Sequence, residues 1–80
     1  GFWKKIHGSR YQSAGLPDII GCLQGQFYGL EAKLPGKQLT ELQKATLEQL
    51  SESGAVVGVV HSITEALHLI EEQLTSSNQE

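Results

Sequence analysis

The sequence predicts a mixed α/β domain in which helices pack on a small sheet, and three features predict it. Two Ser/Thr-x-x-Glu/Gln capping boxes, Thr40-Glu41-Leu42-Gln43 and Ser62-Ile63-Thr64-Glu65, open helical patterns in the second half. Between them, Ala55-Val56-Val57-Gly58-Val59-Val60 is β-branched without alternation. Ahead of them, two apolar stretches flank Gln24-Gly25. In chain order, a short first strand is expected around Lys5 to Gln12. Pro17-Asp18-Ile19-Ile20 with Leu23 reads as a strand and Gln26 to Lys33 as the next, with Gly21, Gln24 and Gly25 supplying the turn of an antiparallel pair. Pro35-Gly36 makes a further turn. The Thr40 box starts a helix carrying Leu42, Ala45 and Leu50, and Gly54 stands where a helix C-terminal glycine belongs. The Ala55–Val60 run reads as a strand covered on both faces. The Ser62 box starts a helix with Ile63, Ala66, Leu67, Ile70 and Leu74 on one stripe. The order is strand, strand, helix, strand, helix. Residues 1–74 make a single domain, and the polar stretch 75–80 is expected to fray.

Eighty residues allow one domain. A chain this short buries only about 60% of its unfolded surface, so self-association is expected. No apolar run reaches the length of a membrane-spanning helix, and Gly1-Phe2-Trp3-Lys4-Lys5 does not lead into a signal-peptide core. Cys22 is the sole cysteine, which excludes an intramolecular disulfide and a multi-cysteine zinc site; an intracellular, reduced location is expected. The net charge of −3 hides an asymmetry: residues 1–45 carry +3, whereas residues 46–80 carry −6 and no Lys or Arg. The basic half can meet a polyanion while the acidic half stays solvated.

The Gln26–Lys33 strand ends unusually. Tyr28, Leu30 and Ala32 share one face by alternation, while Phe27, Gly29, Glu31 and Lys33 share the other, which starts apolar and ends with an acid and a base about 6.7 Å apart. The hairpin brings Asp18, held by Pro17, near the level of Glu31. Two converging carboxylates are costly without a cation, and their oxygens suit Mg²⁺. Lys33 could then orient or help deprotonate a water and offset charge developing on a phosphate. The plain alternative is a same-face ion pair on a solvated strand with Asp18 as a turn residue. His7, His61 and His68 lack metal-ligand spacing and read as structural or surface groups. Cys22 has no neighbouring base, and no glycine-rich stretch carries the Gly-Lys-Ser/Thr ending of a phosphate loop, so no nucleotide cofactor is expected.

Pro17-Asp18 followed by Glu31-Ala32-Lys33 resembles the PD-(D/E)xK nuclease motif. The wider pattern is similar to the virus-type replication-repair nuclease domain, VRR-NUC. It comprises Gly15 to Gly21, Phe27 to Lys33, Leu39 to Gln43 and Gly54 to Val60, within a resemblance that covers roughly residues 7–70. The resemblance implies a restriction-endonuclease-like core and Mg²⁺- or Mn²⁺-dependent hydrolysis of DNA phosphodiesters to a 5′-phosphate and a 3′-hydroxyl. By that analogy Asp18 and Glu31 are metal ligands, the Ala32 carbonyl is a possible third, and Lys33 is the catalytic lysine. Gln43 matches a glutamine of the pattern and would sit near the site, although it is also the N3 residue of its capping box. Family members usually begin with a helix that offers a glutamate to the metal, and no acid precedes Asp18 here.

DNA contacts are expected from Lys4, Lys5, Arg10, Tyr11, Lys37 and Lys44, the cationic ones neutralising phosphates without reading sequence. Trp3 is expected to pack in the core or at a dimer contact. A symmetric homodimer would present two sites to a four-way (Holliday) junction, the leading substrate. A flap or nicking nuclease module, and a non-catalytic DNA-binding module retaining the fold, are the other readings.

Overall fold

The computed structural model describes residues 1–6 and 15–77. It contains β1 (Phe2–Lys5), β2 (Ile19–Leu23), β3 (Gln26–Ala32), α1 (Glu41–Glu52), β4 (Val56–Val60) and α2 (Ile63–Ser77). The sheet order is β1-β2-β3-β4. The first two pairings are antiparallel, and β3 and β4 run parallel across the α1 crossover. The protein is therefore α/β, with a four-stranded mixed sheet and two helices.

Local chemistry sets these elements. Gln24 (φ 52°) and Gly25 (φ 79°) are both left-handed, which makes the two-residue turn whose twist matches a hairpin. Gly21, expected in that turn, instead sits inside β2 opposite Tyr28. Pro35-Gly36 does form a turn, closed by the Lys37 N–H donating to the Leu34 carbonyl at 3.1 Å. Both halves of the Thr40 capping box are present. At the far end of α1, Ala55 N–H donates to the Leu50 carbonyl and Gly54 N–H to the Ser51 carbonyl, with Gly54 at φ 102°. That pair of bonds is a Schellman closure, as the glycine predicts. The second box is only half made: Ser62 Oγ accepts from Glu65 N–H, but the Glu65 carboxylate turns to the His61 N–H rather than to that of Ser62.

Alternation distributes the side chains over two covered faces. On one, the Trp3 ring lies 5.4 Å from that of Tyr28, and Leu69 of α2 reaches Gly58 beside Leu30. On the other, Leu50 of α1 and Pro17 close over Gly29. Tyr28, Leu30, Leu47 and Val60, with Pro17, are buried apolar residues among those described.

The structure departs from the sequence expectations at several points. The first strand lies at Phe2–Lys5, because Lys5 pairs with Ile19 and the antiparallel ladder runs back from there; residues 7–14 lie outside the described residues. β4 is an edge strand and its coverage is incomplete, with Val59 exposed. The buried α1 position is Leu47, which spacing did not single out, whereas Ala45 is exposed. The α2 stripe splits: Ala66, Ile70 and Leu74 are half-buried, but Ile63 and Leu67 face outward. α2 continues through Ser77, into the polar stretch.

Candidate active site

Pro17 places Asp18. The proline is buried against Gly29, where an added Cβ would meet Pro17 Cγ and Leu50 Cδ1, each at 3.2 Å. A side chain there would lift Pro17 off the sheet and carry Asp18 with it. Asp18 is fixed on both sides: its carbonyl accepts from Ile6 N–H at 2.6 Å, and Oδ2 accepts from Ala32 N–H at 2.9 Å. The β2–β3 register pairs Ile19 with Leu30, so one step further places Asp18 across from Glu31.

Glu31 is the one buried charged residue among those described, with no exposed surface. Its Oε1 accepts from Gln43 Nε2 at 3.3 Å, and its Oε2 is buried with no hydrogen-bond partner. Burial first, then the adjoining Asp18 carboxyl, push the Glu31 carboxyl up to about 7; the nearby Lys33 ammonium works against them. A buried carboxylate oxygen without a donor is costly. Beside a second carboxylate it fits a hard divalent cation, which takes one or two carboxylates and otherwise keeps water. The donors that fit are Asp18 and Glu31, with the Ala32 carbonyl next to Glu31 in sequence. No group of three or more His, Cys, Asp or Glu side chains among the described residues is placed to hold a metal.

Lys33 follows β3 directly and is held by its N–H donating to the Val60 carbonyl at 3.0 Å. Gln43 resolves the competition between its two expected roles. Its Oε1 accepts from Thr40 N–H at 2.9 Å while Nε2 faces Glu31, so one amide closes the helix cap and touches the carboxylate. The α1 N-terminus is thus tied to the site. Gln43→Ala is expected to cost about 1 kcal/mol in denaturant unfolding, and Gln43→Glu to keep the cap acceptor but, by setting a carboxylate against Glu31, not to recover that cost.

The expected DNA contacts separate. Lys4 pairs with Ile20 and so shares the Gly29 face, where α1 and Glu31 lie; Lys5, paired with Ile19, shares the α2 face. Lys37 is exposed in the turn after Lys33, and Lys44 lies on α1, paired at 3.4 Å with Glu41. Arg10 and Tyr11 lie outside the described residues, as do His7 and Gln12. Trp3 packs over Gly21 against Tyr28 but stays 37% exposed, so it covers the sheet rather than joining the buried core. The two described histidines each pair with a glutamate four residues on, His61 with Glu65 at 3.0 Å and His68 with Glu72 at 2.9 Å. Cys22 is exposed and free on β2. No helix among the described residues is long and apolar enough to cross a membrane.

Sequence reasoning missed two supports of the site, the bond from the Ala32 N–H to Asp18 and the packing of Pro17 on Gly29. The adjacency of Pro-Asp and the glycine two residues before Glu31 were the available signals. No family model matches the chain, and neither a curated protein nor a solved structure matches it.

Proposed function

We propose that this chain is a divalent-metal-dependent DNA endonuclease with a restriction-endonuclease-like core, and that it cuts branched DNA such as four-way junctions. The observation that carries the reading is the Asp18–Glu31 pair at one sheet end, with an orphaned Glu31 oxygen and Lys33 beside it. A structural ion pair would leave neither a buried unpartnered carboxylate oxygen nor a second carboxylate against it.

Asp18 and Glu31 would hold Mg²⁺ or Mn²⁺, with the Ala32 carbonyl as a third donor. Bound there, the ion would polarise the phosphodiester and make water a better nucleophile at neutral pH. Asp18 stays oriented by the Ala32 N–H, and Glu31 by the Gln43 amide. The Lys33 ammonium would position the attacking water and offset negative charge on the phosphoryl oxygens. In the hydrolysis the water oxygen bonds to phosphorus as the bond to the 3′ oxygen breaks. The strand is left with a 5′-phosphate and a 3′-hydroxyl. Lys4, Lys37 and Lys44 supply backbone charge neutralisation, so affinity should fall with salt.

The test is cleavage of a labelled four-way junction beside linear duplex and flap, each with Mg²⁺, Mn²⁺ or EDTA. Lys33→Ala should lower the cleavage rate about 10²- to 10³-fold while Mn²⁺ binding persists. Cutting confined to flaps or linear DNA would keep the site and replace the substrate. A folded protein that binds DNA and cuts nothing would overturn the enzyme reading in favour of a binding module.

A further inference from the structure

Strand pairing lays rows of side chains across the face of the sheet that carries Glu31. Phe2, Cys22 and Phe27 are direct partners across β1, β2 and β3 and make one row, and Lys4, Ile20 and Gly29 make the next. One step further along the same ladder stand Asp18 and Glu31. The aromatic row and the candidate metal donors thus lie at opposite ends of one surface. Phe27 and Glu31 are four residues apart on β3, about 13 Å. α1 covers this face at Gly29, through Leu50. Toward β1 it stays open, with Phe2 64% and Phe27 38% exposed and with Cys22 and Lys4 exposed between and beside them.

Chemistry selects the occupant. β1 and β2 carry no Asp or Glu, and Lys4 stands between the aromatic row and the Asp18 end. Exposed rings with a cation beside them match a ligand that alternates flat bases with phosphates. An apolar protein partner would bury the Lys4 ammonium without a counter-charge. A closed duplex keeps its base faces stacked inside and offers the rings nothing. An unpaired strand satisfies both kinds of group at once.

We propose that this open face binds a single-stranded segment of DNA, with bases stacked on Phe27 and Phe2 and a phosphate on Lys4, and leads that strand to the Asp18–Glu31 end. Its direction, toward the metal donors, rests on the nuclease reading. The rings accept any base, so the face selects unpaired strand and not sequence. It favours branched over linear DNA for that reason, since a branch point splays strands that a duplex keeps paired.

Cys22, the sole cysteine, is exposed between Phe2 and Phe27 and reports on this face without any substitution. The test is its alkylation by N-ethylmaleimide in EDTA, so that binding is read apart from cleavage, with oligothymidylate, blunt duplex or no DNA. Oligothymidylate is expected to slow the reaction severalfold and blunt duplex to leave it unchanged. Phe27→Ala should weaken oligothymidylate binding about tenfold and Phe27→Trp should keep it. Lys4→Ala should lower the log–log salt slope by about 0.7. If Phe27→Ala does not fold, Phe2→Ala is read in its place with the same expectation. Unprotected Cys22, protection by duplex equal to that by single strand, an alanine variant that binds like wild type, or an unchanged salt slope each overturns the proposal. So does protection that rises with protein concentration without DNA, which would give the face to a second copy. Junction cleavage with Cys22 unprotected would remove the stacking face and leave the nuclease reading standing. Protection without cleavage on any DNA would do the reverse.

Discussion

Glu31→Gln is expected to remove metal-dependent cleavage and, in the same protein without metal, to raise stability at neutral pH. The two effects have one cause. Glu31 is fully buried, its Oε2 has no partner, and its carboxyl is pushed up to about 7 by burial and by Asp18. In the unfolded chain that group titrates at its ordinary value near 4.5. Between those two pH values the folded state holds a proton that the unfolded state has released. The stabilisation is therefore complete below about pH 4.5 and is lost as pH rises through about 7. At pH 8 in EDTA the wild type carries an uncompensated buried carboxylate. Glutamine keeps the shape and removes that ionisation, so Glu31→Gln should be more stable there by on the order of 2 kcal/mol and should show no such loss between pH 4 and 8. Adding Mg²⁺ or Mn²⁺ should stabilise the wild type and leave the variant unmoved, because only the carboxylate is a strong ligand. Cleavage should fall about 10³-fold or more, as loss of a metal worth several kcal/mol in the transition state requires. Denaturant melts across pH with EDTA or Mn²⁺ read the stability effects. A variant less stable than wild type at pH 8 would make Glu31 a structural residue.

Gly21→Val is expected to be the most damaging single substitution in the sheet. A Cβ at Gly21 would run into the six-membered ring of the Trp3 indole, which lies across it to reach Tyr28. The indole cannot move aside without leaving the Tyr28 ring, and β1 is held to the sheet by its pairing with β2 alone. Overpacking of this kind costs about 3 kcal/mol or more. In a domain this small that lowers the melting temperature by on the order of 15 °C. Tryptophan emission should shift toward that of solvated indole. Trp3→Ala added to Gly21→Val should cost less than the two changes summed, because the first removes the obstacle the second creates. An additive result would mean that the ring is not seated over Gly21.

How far the sequence could be read depended on the range of the interaction. Helix ends were legible because caps are local: Thr40 with Gln43, and Gly54 after Ser53, act within one turn of chain. The Gln24-Gly25 turn was legible for the same reason, and with it the pairing that sets Asp18 across from Glu31. Burial was less legible. Periodicity gave α2 a stripe that includes Ile63 and Leu67, yet both stay exposed, and Leu69, off that stripe, packs against Gly58 of the sheet. Likewise β4 reads as fully covered because all its side chains are apolar or Gly58, although its place at the edge leaves Val59 in contact with water.

What the sequence determined by itself was the α/β class, the order of its main elements and the residue types at the candidate site, since these follow from spacing and turn chemistry along the chain. The tertiary structure decided three further matters. Strand alternation turned Lys4 toward the site face and Lys5 away from it. Packing of α1 buried Glu31 and let the Gln43 amide serve cap and carboxylate together. The same burial left Glu31 Oε2 without a partner. Each depends on groups far apart in the chain meeting across the sheet, and a desolvation cost exists only once the wall that excludes water has formed.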